Sequence, residues 1–145
     1  MKQIVSPIIF NGIRFAVYIR GMKIMCKKIL IVEDNVLMVE VMSYILVNSG
    51  YEVFTLSNGT EVFINIKANH PDLIILEATL PGITGREICQ LIKLNSTTRD
   101  LPVIMCSGDE SVDKSLYETG APDDILQKPF DINSLIQKVE YQLAA

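Results

Sequence analysis

Three short runs constrain this chain more than anything else in it: Ile29-Leu30-Ile31-Val32, Leu73-Ile74-Ile75-Leu76 and Val103-Ile104-Met105-Cys106. Each is apolar at every position. A strand exposed to water on one face alternates apolar with polar, so strands like these must be covered on both faces, as in a parallel sheet. Between them lie segments with helical signals. Asn35 is placed to cap a helix running to about Ser49, with Gly50 as its stop. Its apolar positions Leu37, Val41, Tyr44, Ile45 and Leu46 are expected to face inward. Met38 and Met42, at helical spacing, read as packing residues.

Glu52 to Leu56 is mixed in polarity and reads as an edge strand. Asn58 and Glu61 open a second helix carrying Val62, Phe63 and Ile66, and His70-Pro71-Asp72 makes a turn in which His70 is expected to be solvated. Thr84 and Glu87 form a capping-box pattern for a helix burying Ile88, Leu91 and Ile92. A further helix is expected from Glu110 to Thr119, ended by Gly120, and a fifth strand at Asp124-Ile125-Leu126-Gln127 with a solvated Asp123-Asp124 start. Asp131 starts the last helix, with Leu135, Ile136, Val139 and Leu143 inward. Five strands alternating with five helices predict a doubly wound α/β fold, a parallel sheet with helices on both faces and right-handed crossovers.

Residues 1–26 stand apart from this pattern. They hold four basic residues and no acidic one, which leaves nine basic and seventeen acidic residues in 27–145, a net charge of −8. Such a body is a poor match for nucleic-acid phosphates. The apolar stretch 4–19 is broken by Pro7, Asn11, Gly12 and Arg14 and falls short of the ~20 residues needed to span a bilayer. Ile8 to Phe15 reads as a hairpin around Asn11-Gly12. Residues 1–26 are therefore either a leader or mis-assigned start, with Met22 or Met25 as true start, or an ordered extension to a domain over 27–145. Three cysteines without metal spacing read as reduced thiols in a cytoplasmic protein.

In sheets of this kind the site lies beyond the carboxyl ends of the strands. Glu33 and Asp34 follow the first strand, Glu77 ends the third, Ser107 follows the fourth, and Lys128 then Pro129 follow the fifth. Three acids in a small space recruit a hard cation or raise a carboxylate pKa; a lysine and a hydroxyl suit phosphoryl oxygens. A solvated acidic rim with a salt-bridged lysine is the bland alternative.

Taken with Leu80-Pro81-Gly82-Ile83-Thr84-Gly85 and Lys128-Pro129-Phe130, these stretches resemble a receiver domain of the response regulators of bacterial two-component signalling, over about residues 27–143. The resemblance implies a flavodoxin-like (βα)5 fold with strand order 2-1-3-4-5. It implies that Glu33, Asp34, Glu77 and the Thr79 carbonyl hold Mg2+, and that Ser107 and Lys128 contact a phosphoryl group. It also implies an often-cis Lys128–Pro129 peptide. Glu77 stands where the family has its phosphoacceptor aspartate, and Ile125 where it usually has a switch Tyr or Phe. Glu77 could then meet Lys128 and Ser107 as a phosphoryl group would.

The expectation is a stand-alone, phosphorylation-independent receiver in a phosphorelay, a signalling module and not an enzyme, with at most weak Mg2+. Its partners would be a histidine kinase or a downstream signalling protein, met through helix 4, strand 5 and helix 5 at about residues 110–143, a face that also suits a homodimer. The alternatives from another class are a flavodoxin-like cofactor binder and a small Mg-dependent phosphohydrolase. The acidic Glu33-Asp34-Asn35 loop suits the first poorly, and the second would want two aspartates after the first strand.

Overall fold

The computed structural model describes residues 17–19, 22–109 and 118–144. In chain order the elements are β1 (Val17–Ile19), β2 (Met22–Ile24), β3 (Lys28–Val32), α1 (Val36–Asn48), β4 (Glu52–Leu56), α2 (Val62–Asn69), β5 (Leu73–Glu77), α3 (Gly85–Leu94), β6 (Val103–Ser107), β7 (Asp124–Gln127) and α4 (Ile132–Ala144). Five strands form one parallel sheet in the order β4-β3-β5-β6-β7. Numbered among themselves these strands run 2-1-3-4-5, the order expected.

The all-apolar strands divide their side chains by the period of two that a strand imposes. Leu30, Val32, Ile74, Leu76, Val103 and Met105 face α2 and α3, where Val62, Ile88, Cys89 and Ile92 meet them. Ile29, Ile31, Leu73, Ile75, Ile104 and Cys106 face the other way, onto Met42, Leu46, Leu135 and Val139 of α1 and α4. A polar residue at any of these strand positions would lie in one of two cores. β4 is an edge strand with one neighbour, which explains its mixed pattern.

The caps behave as their chemistry requires. The Asn35 side chain accepts the Met38 N–H, and Gly50 takes a positive φ beyond the Ser49 cap. Thr84 and Glu87 form the reciprocal capping box at α3. Asp131 Oδ1 accepts the Ser134 N–H at 2.7 Å at the start of α4. Asn58 does not cap α2: its side chain accepts from the Thr60 N–H and hydroxyl instead, and Glu61 precedes the helix with no side-chain cap. His70 is exposed and left-handed at the end of α2.

Several inward faces differ from expectation. On α1, Leu37, Val41 and Tyr44 point outward, and Met42 and Leu46 are buried, with Met38 and Ile45 packed beside them. Leu91 on α3 is half exposed; Cys89 takes the buried place next to Ile88 and Ile92. Phe63 is also partly exposed, and Ile136 is half-buried. The Asp123-Asp124 pair is not simply solvated. Asp123 accepts the Val103 N–H and pairs with Lys93, and Asp124 pairs with Lys138 at 2.8 Å, so both fasten β7 to its surroundings.

The Asn11-Gly12 hairpin lies outside the described residues, as do 110–117 of the expected helix over Glu110–Thr119. Gly120, its expected stop, has φ +79°. An antiparallel hairpin not expected from the sequence pairs Val17 with Ile24 and Ile19 with Met22, as a sheet of its own. Among the described residues no helix is long and apolar enough to cross a membrane.

Candidate functional site

All the strand-end residues come together at the carboxyl edge of the sheet, around β5 and its neighbours β3 and β6. The strand order turns between β3 and β5, the place where a crevice opens in sheets of this type. Glu33 extends the line of β3, its N–H donating to the Leu56 carbonyl at 3.0 Å. Glu77 is the last residue of β5, beside Cys106 in register. Ser107 closes β6, and the Lys128 N–H donates to its carbonyl at 2.7 Å, which ties the end of β7 to the site. The Lys128–Pro129 peptide is cis.

Glu33 and Glu77 are buried, at 2% and 6% exposure, and Ser107 at 2%. Buried carboxylates need partners for every oxygen. Glu33 Oε1 accepts the Asn35 N–H at 3.0 Å, and Oε2 accepts from Lys128 Nζ at 2.8 Å. Glu77 Oε1 accepts the Thr79 N–H at 3.1 Å, and Oε2 accepts from Lys128 Nζ at 2.5 Å. Each acid is thus held by a backbone amide two residues on and by the same ammonium. Burial alone lowers the Lys128 pKa, but the hydrogen bonds to Glu33 and Glu77 outweigh it and hold that pKa well above the ordinary lysine value.

Asp34 is exposed at the rim and does not join the pair. Thr79 is exposed beside Glu77. The Ser107 hydroxyl accepts the Asp109 N–H at 3.0 Å; no Ser107–Glu77 hydrogen bond forms. Lys128 therefore meets Glu77 as the extra methylene suggested, while Ser107 keeps its own loop. Ile125 is buried among the α2–α3 core residues.

Three contributors escaped the sequence reading. The Asn35 and Thr79 amides are backbone donors, and only the i to i+2 spacing after each acid hints at them. Gly85 is the third: a Cβ there would strike the Glu77 carbonyl oxygen, so the start of α3 can lie against the site only with glycine.

Comparison with known proteins agrees with this geometry. The model of the response regulator receiver domain matches residues 29–140. The phosphate regulon transcriptional regulatory protein PhoB of Rhizobium meliloti is 37% identical over 121 residues, which are 82% of this chain and 53% of that protein. The chain thus spans about half the length of the curated relatives it matches. A crystal structure of a putative response regulator from Chloroflexus aurantiacus shares 32% identity at a TM-score of 0.78, covering 83% of this chain and all of that one. The chemotaxis response regulator CheY4 of Vibrio cholerae shares 26% at 0.75, covering 82% and 100%. Neither a flavodoxin-like cofactor binder nor a phosphohydrolase accounts for a match of that extent. From the ordered strand-end residues, the 2-1-3-4-5 sheet and the match over 29–140, the chain belongs to the response regulator receiver domain family of two-component signalling.

Proposed function

We propose that this receiver signals without phosphotransfer, through protein contacts, with Glu77 in the acceptor position already engaging Lys128. The observation that carries the reading is the 2.5 Å bond from Lys128 Nζ to Glu77 Oε2. A phosphoacceptor needs a carboxylate oxygen free to attack a phosphodonor in line. Here one oxygen is turned back onto the Thr79 amide and the other is spent on the lysine. Glutamate also reaches up to about 1.5 Å further than aspartate, roughly one carbon–carbon bond. A displacement near 1 Å can cost about 100-fold in such a reaction. Ser107 and Ile125 would be the switch positions, and a Ser107 held by its own loop together with a ringless Ile125 favours a fixed state over a cycling one.

Receiver domains typically bind Mg2+ in the active-site cleft. The residues offered here are Glu33, Asp34, Glu77 and the Thr79 carbonyl. Two of the three carboxylates are already bonded through both oxygens, so the residue types suit the ion and their present arrangement does not. Any Mg2+ binding would be weak. The partners in this reading are a histidine kinase or a downstream signalling protein in the cytoplasm. The surface from Glu118 to Leu143 offers exposed Ile132 and Tyr141 to such a partner or to a second copy. A net charge of −8 over 27–145 argues against nucleic acid as the direct target.

Acetyl phosphate with Mg2+, followed by intact mass, tests this. The native chain should gain no phosphoryl mass, and Glu77→Asp should gain one labile group. Phosphorylation of the native chain at Glu77 would sink the reading. A variant that binds Mg2+ and stays inert would place the block at Ser107 and Ile125 instead.

A further inference from the structure

We propose that Asn58-Gly59, on the loop between β4 and α2, is a modification site: the Gly59 nitrogen closes on the Asn58 carboxamide and expels ammonia, and water then opens the imide to aspartate or isoaspartate. This chemistry needs neither a phosphoryl group nor a metal, and Glu77 takes no part in it.

Asparagine is among the thermolabile side chains. Its cyclisation needs an unhindered nitrogen on the next residue, a carboxamide folded back onto that nitrogen, and a place for the charge that develops on the carboxamide oxygen. Glycine supplies the first, having no Cβ. The loop supplies the other two. Asn58 Oδ1 accepts the Thr60 N–H at 3.0 Å, and the Thr60 hydroxyl donates to the same oxygen. A bond from a side chain to the amide two residues on closes a ring that contains the nitrogen between them. The carboxamide is thereby held against the Gly59 nitrogen, as an intramolecular attack requires. Both donors also lie on the oxygen that turns negative when that nitrogen adds to the carbonyl carbon, the arrangement of an oxyanion hole. Asn58 is half-buried and Thr60 exposed, so water reaches the loop.

In the first step a bond forms between the Gly59 nitrogen and Asn58 Cγ. The Gly59 amide proton passes to solvent base, and the carboxamide C–N bond breaks with ammonia as the leaving group. In the second, water adds to either carbonyl of the imide and reopens one of its C–N bonds. Nothing is oxidised or reduced. Either product carries an added negative charge, on a loop whose strand end is bonded into the site: the Leu56 carbonyl accepts the Glu33 N–H. Isoaspartate also lengthens the backbone by a methylene where room is short. Gly59 is buried, and a Cβ on it would strike Ile88 of α3 and Ile83 of the loop after β5. Aspartate keeps the backbone and the Thr60 bonds; isoaspartate pushes the loop away from both isoleucines.

The test incubates the full chain at pH 8 and follows its digest by peptide mass, with Asn11-Gly12 and Asn58-Gly59 in separate peptides. Asn58 should exchange NH2 for OH in the folded chain at least as fast as in guanidinium chloride, where the glycine acts alone. Thr60→Ala removes one donor and should slow the folded chain about five- to tenfold, the worth of one hydrogen bond. Thr60→Ser should restore the rate, and in guanidinium chloride all three chains should convert alike. Asn58 left intact in the folded chain while it converts in the unfolded one overturns the inference. So does a folded Thr60→Ala chain that converts at the native rate. Neither result touches the phosphotransfer reading, which phosphoryl mass on the native chain decides.

Discussion

Gly85 is one residue past the Thr84 cap, and its missing side chain holds the site together from behind. A Cβ would meet the Glu77 carbonyl oxygen and the Ala78 Cα, which are backbone and cannot swing aside. The Gly85 N–H also donates to the Ala78 carbonyl at 3.0 Å, so the contact is bonded as well as tight. Gly85→Ala should therefore destabilise the fold by about 1–3 kcal/mol, the range for overpacking, despite alanine's better helix propensity. Urea midpoints measure the loss, and amide shifts at Glu77 should change with it; an unchanged midpoint would show that α3 can back away freely. The same scale explains what was legible at the site. Strand ends place Cα atoms, so Glu33, Asp34, Glu77, Ser107 and Lys128 could all be put at one edge from the sequence. Which acid turns inward depends on side-chain torsions and on backbone amides that carry no residue signature. Glu33 and Asp34 are neighbours in sequence, yet one is buried and bonded and the other lies at the rim.

Helix α1 shows where reading an element from its pattern stops working. Its sequence, Val36 to Asn48, has Glu40, Ser43 and Asn48 as its only polar residues. An amphipathic helix is oriented by its polar face, and this one scarcely has one. Apolar spacing then fits more than one rotation about the axis. The tertiary contacts choose Met42 and Leu46, leaving Leu37 at 68% and Tyr44 at 74% exposure. α3 is the contrast: Arg86, Glu87 and Gln90 mark its outer side, so its buried side was legible apart from Leu91. The strands were the most legible elements, since being apolar on both faces leaves no register to choose. Two substitutions check the rotation of α1. Leu37→Lys should stay within about 0.5 kcal/mol of the native stability, as exposed changes do. Met42→Ala should cost about 2–5 kcal/mol, as a buried deletion does. Equal losses would mean that the outward stripe is covered in solution.

At the scale of the whole molecule, none of the five strands of the central sheet comes from the described part of the N-terminal segment. The β1–β2 hairpin is bonded to none of the five strands, and Lys28 begins the central sheet. We propose that a chain beginning at Met25 keeps the same far-UV spectrum per residue; aggregation of that shorter chain would show that residues 1–24 cover an apolar face. A second whole-molecule property follows from thiols buried on opposite faces of the sheet. Cys89 and Cys106 are each 1% exposed. Burial pushes both thiols up to about 12; Lys93 works against this at Cys89, and Lys128 does so at Cys106. In the unfolded chain a thiol titrates near ~8.5. Between those values the native state keeps two protons that the unfolded state releases, so unfolding becomes more favourable as pH rises. The stabilisation is whole below the unfolded thiol pKa and drains away toward the folded one, by about 1 kcal/mol per pH unit for each thiol. The raised Lys128 pKa adds a loss of the same sign, beginning above the ordinary lysine pKa of ~10.4. Urea midpoints at pH 8 and pH 10 should differ by a few kcal/mol in stability, and Cys89→Ala with Cys106→Ala should flatten most of that slope. A native chain equally stable at both values, or a double variant with the native slope, would mean that the thiols ionise without opening the fold.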